Sequence, residues 1–329
     1  MAAVGLAAAA VAVIARHPAA AERVFRAMRG EAYAGSASCR ECHEGFYQRW
    51  EPSHHGKAMQ PVTAAFVSAE LTPLAEPMTV KGRRYAVDLD RRLLIETDAG
   101  GKVARYPLLH AMGGKNVFYF LTLLDKGKLQ VLPLAYNVRE RAWYDTTGSM
   151  VRHFAETGDA PLDWTDPMLT FNTSCFGCHV SQIEKNYDAR SGAYRTVWRE
   201  PGISCETCHG PSERHNRMCR KLKPGEKPKD LGLLSWNSLT ADQVNSACAP
   251  CHAKMHPITG AFEPGDTYFN HYDLVCLEDR DFSPDGRDMG ENYTYTLWLM
   301  NPCAQKGGLD CMHCHTSSGR YRFAPAVTN

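Results

Sequence analysis

Five short stretches of the chain share one frame, two cysteines three apart with a histidine directly after the second. They are Cys39, Cys42 and His43; Cys175, Cys178 and His179; Cys205, Cys208 and His209; Cys248, Cys251 and His252; and Cys311, Cys314 and His315. Both thiols of such a pair can form thioether bonds to a porphyrin while the adjacent imidazole takes the iron, which is the pattern of c-type haem attachment. Two CxxC pairs could instead cage a zinc ion, or act as redox dithiols, but neither use needs a histidine beside every pair. With 14 His in 329 residues, five such placements have a chance probability of roughly one in ten million. Covalent haem at all five motifs is therefore expected, with His43, His179, His209, His252 and His315 as proximal ligands.

The other face of each iron decides its use. Imidazole on both faces makes the metal coordinatively full and suits electron transfer, whereas an open face admits substrate. Nine histidines remain after the proximal five, and His17 falls in the amino-terminal leader. His215 lies six residues beyond His209, too few to round a macrocycle's edge, so it is expected to serve a neighbouring haem. His256, four beyond His252, meets the same objection. His54 and His55 are both far enough past His43 to serve a haem elsewhere, and only one is needed. His110, His153, His271 and His313 complete the distal candidates, each equally readable as an ordinary polar or core histidine. Eight candidates for at most five faces force no haem to stay open.

The scaffold must place these motifs, and they are unevenly spread. Residues 1–34 read as a signal peptide or amino-terminal anchor. Ala2 to Ala15 is uncharged, of signal-core length and short of a bilayer span, although no basic segment precedes it, and Ala32-Tyr33-Ala34 offers a cleavage site. Residues 35–77 form the first haem segment, 78–147 a β-rich insertion, and 148–329 a four-haem segment. Within the insertion, Tyr85 to Leu89, Leu93 to Thr97, Lys102 to Leu109, Val117 to Leu124 and Leu129 to Tyr136 read as strands of a small antiparallel meander. Turns are signalled at Asp98–Gly101 and Asp125–Lys128. Elsewhere short helices and loops are expected to wrap clustered haems, an α+β fold. Helices are predicted over Ala241–Ala253, capped by Thr240, and over Glu291–Leu299.

Lys and Arg total 37 against 36 Asp and Glu, for a net charge of +1. That balance gives no electrostatic footprint for nucleic acid. The basic, proline-bearing run Arg220–Lys229 reads as a solvated loop, with a docking patch for an acidic redox partner as the second reading. Of 13 cysteines, the motifs use all but Cys219, Cys276 and Cys303. These three are expected to be buried thiols, or one disulfide plus an odd thiol. The lack of a stop-like tail after His315 suggests a longer parent chain or a further domain.

The segments SCRECHEGFYQRWEPSHHGKAM, FNTSCFGCHVSQIEKNYD and GISCETCHGPSERH resemble the multihaem c cytochromes related to the nitrifiers' tetrahaem cytochrome c and hydroxylamine oxidoreductase. Some of that group carry tetratricopeptide repeats. The similarity runs from about Ser38 to Arg322. The resemblance implies a distal ligand at His55, which with Ser53, Ala58 and Met59 matches the group's SxHxxAM pattern, and another at His215, after the Cys-His-Gly-Pro turn. The segment from His110 to Asp145 is similar to the β-rich insertion that these proteins carry. No CxxCK variant of the kind that marks nitrite reductases is present, and no residue matches the crosslinking tyrosine of hydroxylamine oxidoreductase.

The expected function is electron transfer by five covalently bound haem c groups, mainly bis-His, in the periplasm or at an extracellular face. The expected partners are redox proteins, such as a quinol-linked membrane donor or other cytochromes. The alternatives are an oxidoreductase acting on a small nitrogen or sulfur compound at one five-coordinate haem, and a zinc-stabilised interaction module.

Overall fold

A computed structural model describes residues 32–147, 162–260, 262–279, 281–289, 293–316 and 322. The candidate ligand His153 and most of the leader lie outside the described residues. The chain divides into two compact units, residues 48–204 and the combination of 1–47 with 205–329. Helix α1 (Ala37–Trp50) carries the first motif and leaves helical geometry at His43 (φ −122°, ψ 37°). The chain is thus re-aimed at the expected proximal histidine of the first motif.

Unit 48–204 is built on two antiparallel sheets. It opens with β1 (Met59–Pro61) and α2 (Ala64–Glu70), whose N-cap Thr63 accepts a hydrogen bond from the Phe66 N–H. Strands β2 (Met78–Val80), β3 (Arg83–Asp88), β4 (Leu93–Thr97) and β5 (Val103–Pro107) follow in sequence order as one four-stranded sheet. Strands β6 (His110–Gly113), β7 (Val117–Leu123), β8 (Leu129–Asn137) and β9 (Ala142–Asp145) join β1 in a five-stranded sheet of order β1-β6-β7-β8-β9. The sequence pointed to one meander; the chain instead breaks at Leu108–Leu109 and starts a second sheet that also takes in β1.

The physical causes are local. Asp98 Oδ1 accepts from the N–H groups of Gly100 and Lys102, closing the turn between β4 and β5. Between β7 and β8, Gly127 has φ +71°, and a Cβ there would lie 2.1 Å from the Tyr194 carbonyl oxygen, so only glycine fits. The first eight residues of β8 are all buried, as expected for a strand covered on both faces. Phe120, Leu132, Leu134 and Tyr136 have no exposed surface and pack with Leu94, Tyr85 and Trp143. Each such side chain contributes about 1.5–3 kcal/mol by leaving water.

Helices α3 (Phe171–Ser174) and α4 (Phe176–His179) present the second motif. They are followed by the short pair β10 (Val180–Ser181) and β11 (Glu200–Pro201). Cys175 and Phe176 pack against a second apolar cluster that includes Met59, Met112, Leu121, Val131 and Phe171. The five-stranded sheet is therefore the platform on which the second motif rests.

The other unit continues with α5 (Cys205–His209), α6 (Glu213–Cys219), α7 (Ala241–His252), β12 (Met255–Pro257), β13 (Tyr272–Leu274), α8 (Tyr295–Met300), α9 (Pro302–Gln305) and α10 (Cys311–Cys314). Thr240 caps α7 in a reciprocal box with Gln243, as its sequence predicts, and α8 starts later than the predicted Glu291. Cys276 and Cys303 are exposed and Cys219 is half-buried, so the spare thiols are not the buried set expected. The apolar cluster of this unit is small, centred on Ala249, Ala253, Tyr268 and Tyr295. Among the described residues, this four-motif unit thus buries few side chains in its own apolar cluster.

Candidate haem-binding sites

Each motif lies on a helical turn, which puts cysteines three apart on one face. The histidine falls at or just beyond the end of that turn: His179, His209 and His252 close α4, α5 and α7, and His315 follows α10. Thiols and imidazole can then approach one macrocycle from the same side.

The motifs of unit 1–47 with 205–329 are brought together. The Cys39 thiol hydrogen-bonds that of Cys205, and this contact, with burial, pushes Cys39 far above the usual thiol range. The Cys248 thiol pairs in the same way with Cys311, which pushes Cys248 up and Cys311 down; Cys208 adds a smaller electrostatic contribution to Cys248. Burial pushes Cys208 itself up to about 11. The first, third, fourth and fifth motifs therefore form a contiguous series, and the second lies in the other unit.

His43 and His215 face each other with ring centroids 6.2 Å apart and planes 22° from parallel. Two metal–imidazole bonds of about 2.0–2.1 Å, plus about 1.1 Å from each ring nitrogen to its centroid, give ~6.2 Å. That separation accommodates one iron only where each ring turns an in-plane nitrogen lone pair toward the other. The His215 Nδ1–H donates to the Leu231 carbonyl at 2.7 Å. A carbonyl can only accept, so the proton is on Nδ1 and the lone pair on Nε2, which lies 3.8 Å from the Cys219 Sγ.

Two proximal histidines repeat this device. His179 Nδ1 donates to the Ala58 carbonyl at 2.6 Å, and His209 Nδ1 to that of Leu234 at 3.1 Å. Burial pushes both imidazoles below their ordinary value, partly offset by those carbonyls. Both are thus held neutral, the form a metal binds. The backbone strap Leu231–Trp236 serves two motifs at once: Leu231 orients His215, Leu234 orients His209, and Trp236 Nε1–H donates to the Cys208 carbonyl at 2.9 Å.

Sequence reasoning did not single out Glu206, the residue after the first cysteine of the third motif. Its side chain is 3% exposed and accepts from the N–H groups of Ala34, Gly35 and Ser212 and from the Ser212 hydroxyl, all at 2.7–2.9 Å. Together with the Ser36 hydroxyl, which accepts from the Cys205 N–H at 3.0 Å, it ties the approach to the first motif onto the third. No sequence signal marks it, because two of its four hydrogen bonds come from Ala34 and Gly35, some 170 residues away.

The remaining distal candidates have varied settings. His55 is half-buried and its carbonyl accepts from the Ile203 N–H at 2.8 Å, whereas His54 is exposed. The Ser53–Ala58 loop thus lies beside the second motif, whose His179 binds Ala58. His110 has a buried Nδ1 with no hydrogen-bond partner and an edge contact to Trp198 at 5.3 Å. Burial lowers its basicity. His271 has both ring nitrogens engaged, with the Thr259 hydroxyl at 2.7 Å and Asp266 at 3.3 Å. His313 closes the capping box of its own helix with Asp310, and His256 is exposed on β12. Among the described residues, no three or more Cys, His, Asp or Glu side chains are arranged to hold a bare metal ion.

The family profile described as "Cytochrome c554 and c-prime" matches residues 38–79 and 150–210. Over 83 residues the chain is 34% identical to the multiheme cytochrome MtrA of Shewanella baltica, covering 24% of this chain and 22% of that protein. The outer cell wall cytochrome OcwA superposes with a TM-score of 0.52 at 17% identity, over 87% of this chain and 56% of that one. An undecaheme S-layer cytochrome of Carboxydothermus ferrireducens overlaps less, with a TM-score of 0.40 at 18% identity over 71% of this chain and 29% of that one. The chain thus spans about a fifth of its curated relative and just over half of the OcwA chain. The α+β fold of short helices, loops and antiparallel sheets is the one OcwA shares. The profile match falls on the segments that carry the first, second and third CxxCH frames, so over those segments the chain is similar to multihaem c-type cytochromes.

Proposed function

We propose that the chain carries electrons outside the cytoplasm through five covalently attached haems, most of them bis-His. The observation that carries this reading is the pairing of His43 with His215, ring centroids 6.2 Å apart, with the His215 Nδ1–H held by the Leu231 carbonyl. Haem supplies one-electron chemistry. The peptide fixes the ligands' tautomers and holds neighbouring motifs close. Attachment at CxxCH belongs to an exported protein, in agreement with the leader-like start, and the partners are redox proteins. Among the described residues no helix is long and apolar enough to cross a membrane. The finer kinship, with the nitrifier tetrahaem cytochromes, rests on the SxHxxAM and Cys-His-Gly-Pro segments.

A second reading is an oxidoreductase with one open haem. It is favoured by His271, whose two ring nitrogens are already engaged by Thr259 and Asp266, and by His313, whose Nδ1 is held by Asp310. One set of measurements on protein from an export-competent host separates the two. The denatured mass should correspond to five haems. The ferric protein should be low spin by EPR and bind cyanide and nitrite poorly. Tight, stoichiometric binding at one haem would decide for the oxidoreductase, and fewer than five haems would remove the count.

A further inference from the structure

We propose that the loop Arg220–Lys229 is the docking surface for an acidic electron-transfer protein, which it seats at the edge of the haem held by Cys39 and Cys42. This rests on the electron-carrier reading and names the partner class. The chain as a whole is almost neutral at +1, yet this stretch holds Arg220, Lys221, Lys223, Lys227 and Lys229 against Glu226 alone. All five basic residues are exposed. Arg220 is paired with Glu41 at 2.9 Å, and no ion pair among the described residues involves the four lysines. Fixed, unpaired charge of one sign is what steers an oppositely charged partner.

The loop is built rather than loose. Lys223-Pro224-Gly225-Glu226 forms a turn in which Gly225 has φ +83° and the Glu226 N–H donates to the Lys223 carbonyl at 2.9 Å. Proline followed by a positive-φ glycine is the signature of a type II turn. The Glu226 carboxylate accepts from the Lys223 N–H at 3.1 Å, so the one acid of the loop is turned back on its own backbone. The neck is closed by Arg214 on Asp230 at 2.6 Å and by His215 on the Leu231 carbonyl at 2.7 Å.

Its placement is specific. Glu41, the anchor of Arg220, lies between the two cysteines of the first motif, and His215, at the neck, faces His43. Cys42 is exposed and α1 buries no side chain. A partner held by the four lysines is therefore held beside the first motif.

The test is stopped-flow oxidation of reduced flavodoxin, an acidic one-electron protein, by the fully haem-loaded chain. Its variants replace Lys221, Lys223, Lys227 and Lys229 with Gln, or, as a control of equal charge change, Arg84, Lys102, Arg105 and Arg139 with Gln. The wild-type rate should fall steeply with salt. The loop variant should be slower by about tenfold at low ionic strength, with its spectrum and its reduction by methyl viologen unchanged, and the control by no more than about twofold. Equal effects of the two variants, or no effect of the loop variant, would overturn the proposal. Flavodoxin rates that stay unchanged while the loop variant loses binding to anionic phospholipid vesicles would assign the loop to a membrane surface and overturn it too. Failure of the wild type to accept electrons from methyl viologen would sink the electron-carrier reading itself.

Discussion

The imidazole of His215 faces that of His43 across 6.2 Å, although His215 follows the third cysteine motif and His43 belongs to the first. The third motif has its own histidine, oriented by a different carbonyl of the same strap. A short excursion after one motif therefore brings a second imidazole beside the histidine of another. His215→Ala should convert one low-spin haem to high spin in the EPR spectrum, while the haem on Cys205 and Cys208 keeps its spin state. If that haem is the one altered, the pairing is wrong.

Glu206 joins the same two motifs through four hydrogen bonds to one buried carboxylate. Glu206→Gln replaces an acceptor oxygen with an NH2 group that must face donors. Hydrogen bonds to charged groups contribute about 1.5–3 kcal/mol each, so a loss of about 2–4 kcal/mol is expected in denaturant unfolding of the haem-loaded protein. A change under about 0.5 kcal/mol would mean that the carboxylate is dispensable.

Trp236→Phe keeps an aromatic ring 6.3 Å from His209 but removes the donor to the Cys208 carbonyl. The expected cost is about 1 kcal/mol. Spectroelectrochemistry should show the potential of the haem on Cys205 and Cys208 moving most. A uniform shift of all haems would contradict a local role for the strap.

Asp163 gives a pH dependence with a definite sign. Burial would raise its carboxyl, but hydrogen bonds from the Thr165 N–H and hydroxyl, with Arg83 and Lys81 nearby, bring it below its ordinary value. A depressed folded value means stability present above the unfolded value, about 3.9, and lost as pH falls through the folded one. With 41% of the side chain exposed, solvent screening holds the contribution to about 1 kcal/mol or less. Asp163→Asn should therefore be less stable than wild type at pH 7, with the difference shrinking below about pH 4 and closing only once pH falls below the depressed folded value. A difference that persists in acid would point to lost shape rather than lost charge.

Much of the local structure was legible because its causes are local. The cysteine frames, the strands Leu93–Thr97 and Val117–Leu123, the turn at Asp98 and the cap at Thr240 all depend on residues within a few positions of each other. The six-residue spacing argument for His215 is also local, but it shows only that His209's haem is excluded, not which haem is served. What was hidden is set by distant pairing. Strand β1 joins β6 across some fifty residues, Glu206 reaches Ala34, and the strap touches two motifs at once. No pattern in a window of the sequence encodes those contacts. The spare thiols were misjudged for another reason: hydrophobic character says where a cysteine can go, whereas Cys276 and Cys303 sit on segments whose other residues occupy what little core their unit has.

The facing of His43 and His215 also sets a timetable. In a chain that emerges amino-terminus first, Cys39 and Cys42 are available for attachment while His215 is still about 170 residues from crossing. On the proposed sharing of one haem by His43 and His215, that haem has one imidazole and a bare opposite side until His215 arrives, open to peroxide and stray thiols. Pulse-labelled export intermediates trapped before residue 215 should therefore bleach in dilute peroxide, and become resistant once Glu206 and His215 have docked. On that proposed pairing, biogenesis rather than the finished molecule is where the cofactor would be most exposed, and a slow step between the first and third attachments would be costly in proportion to its length.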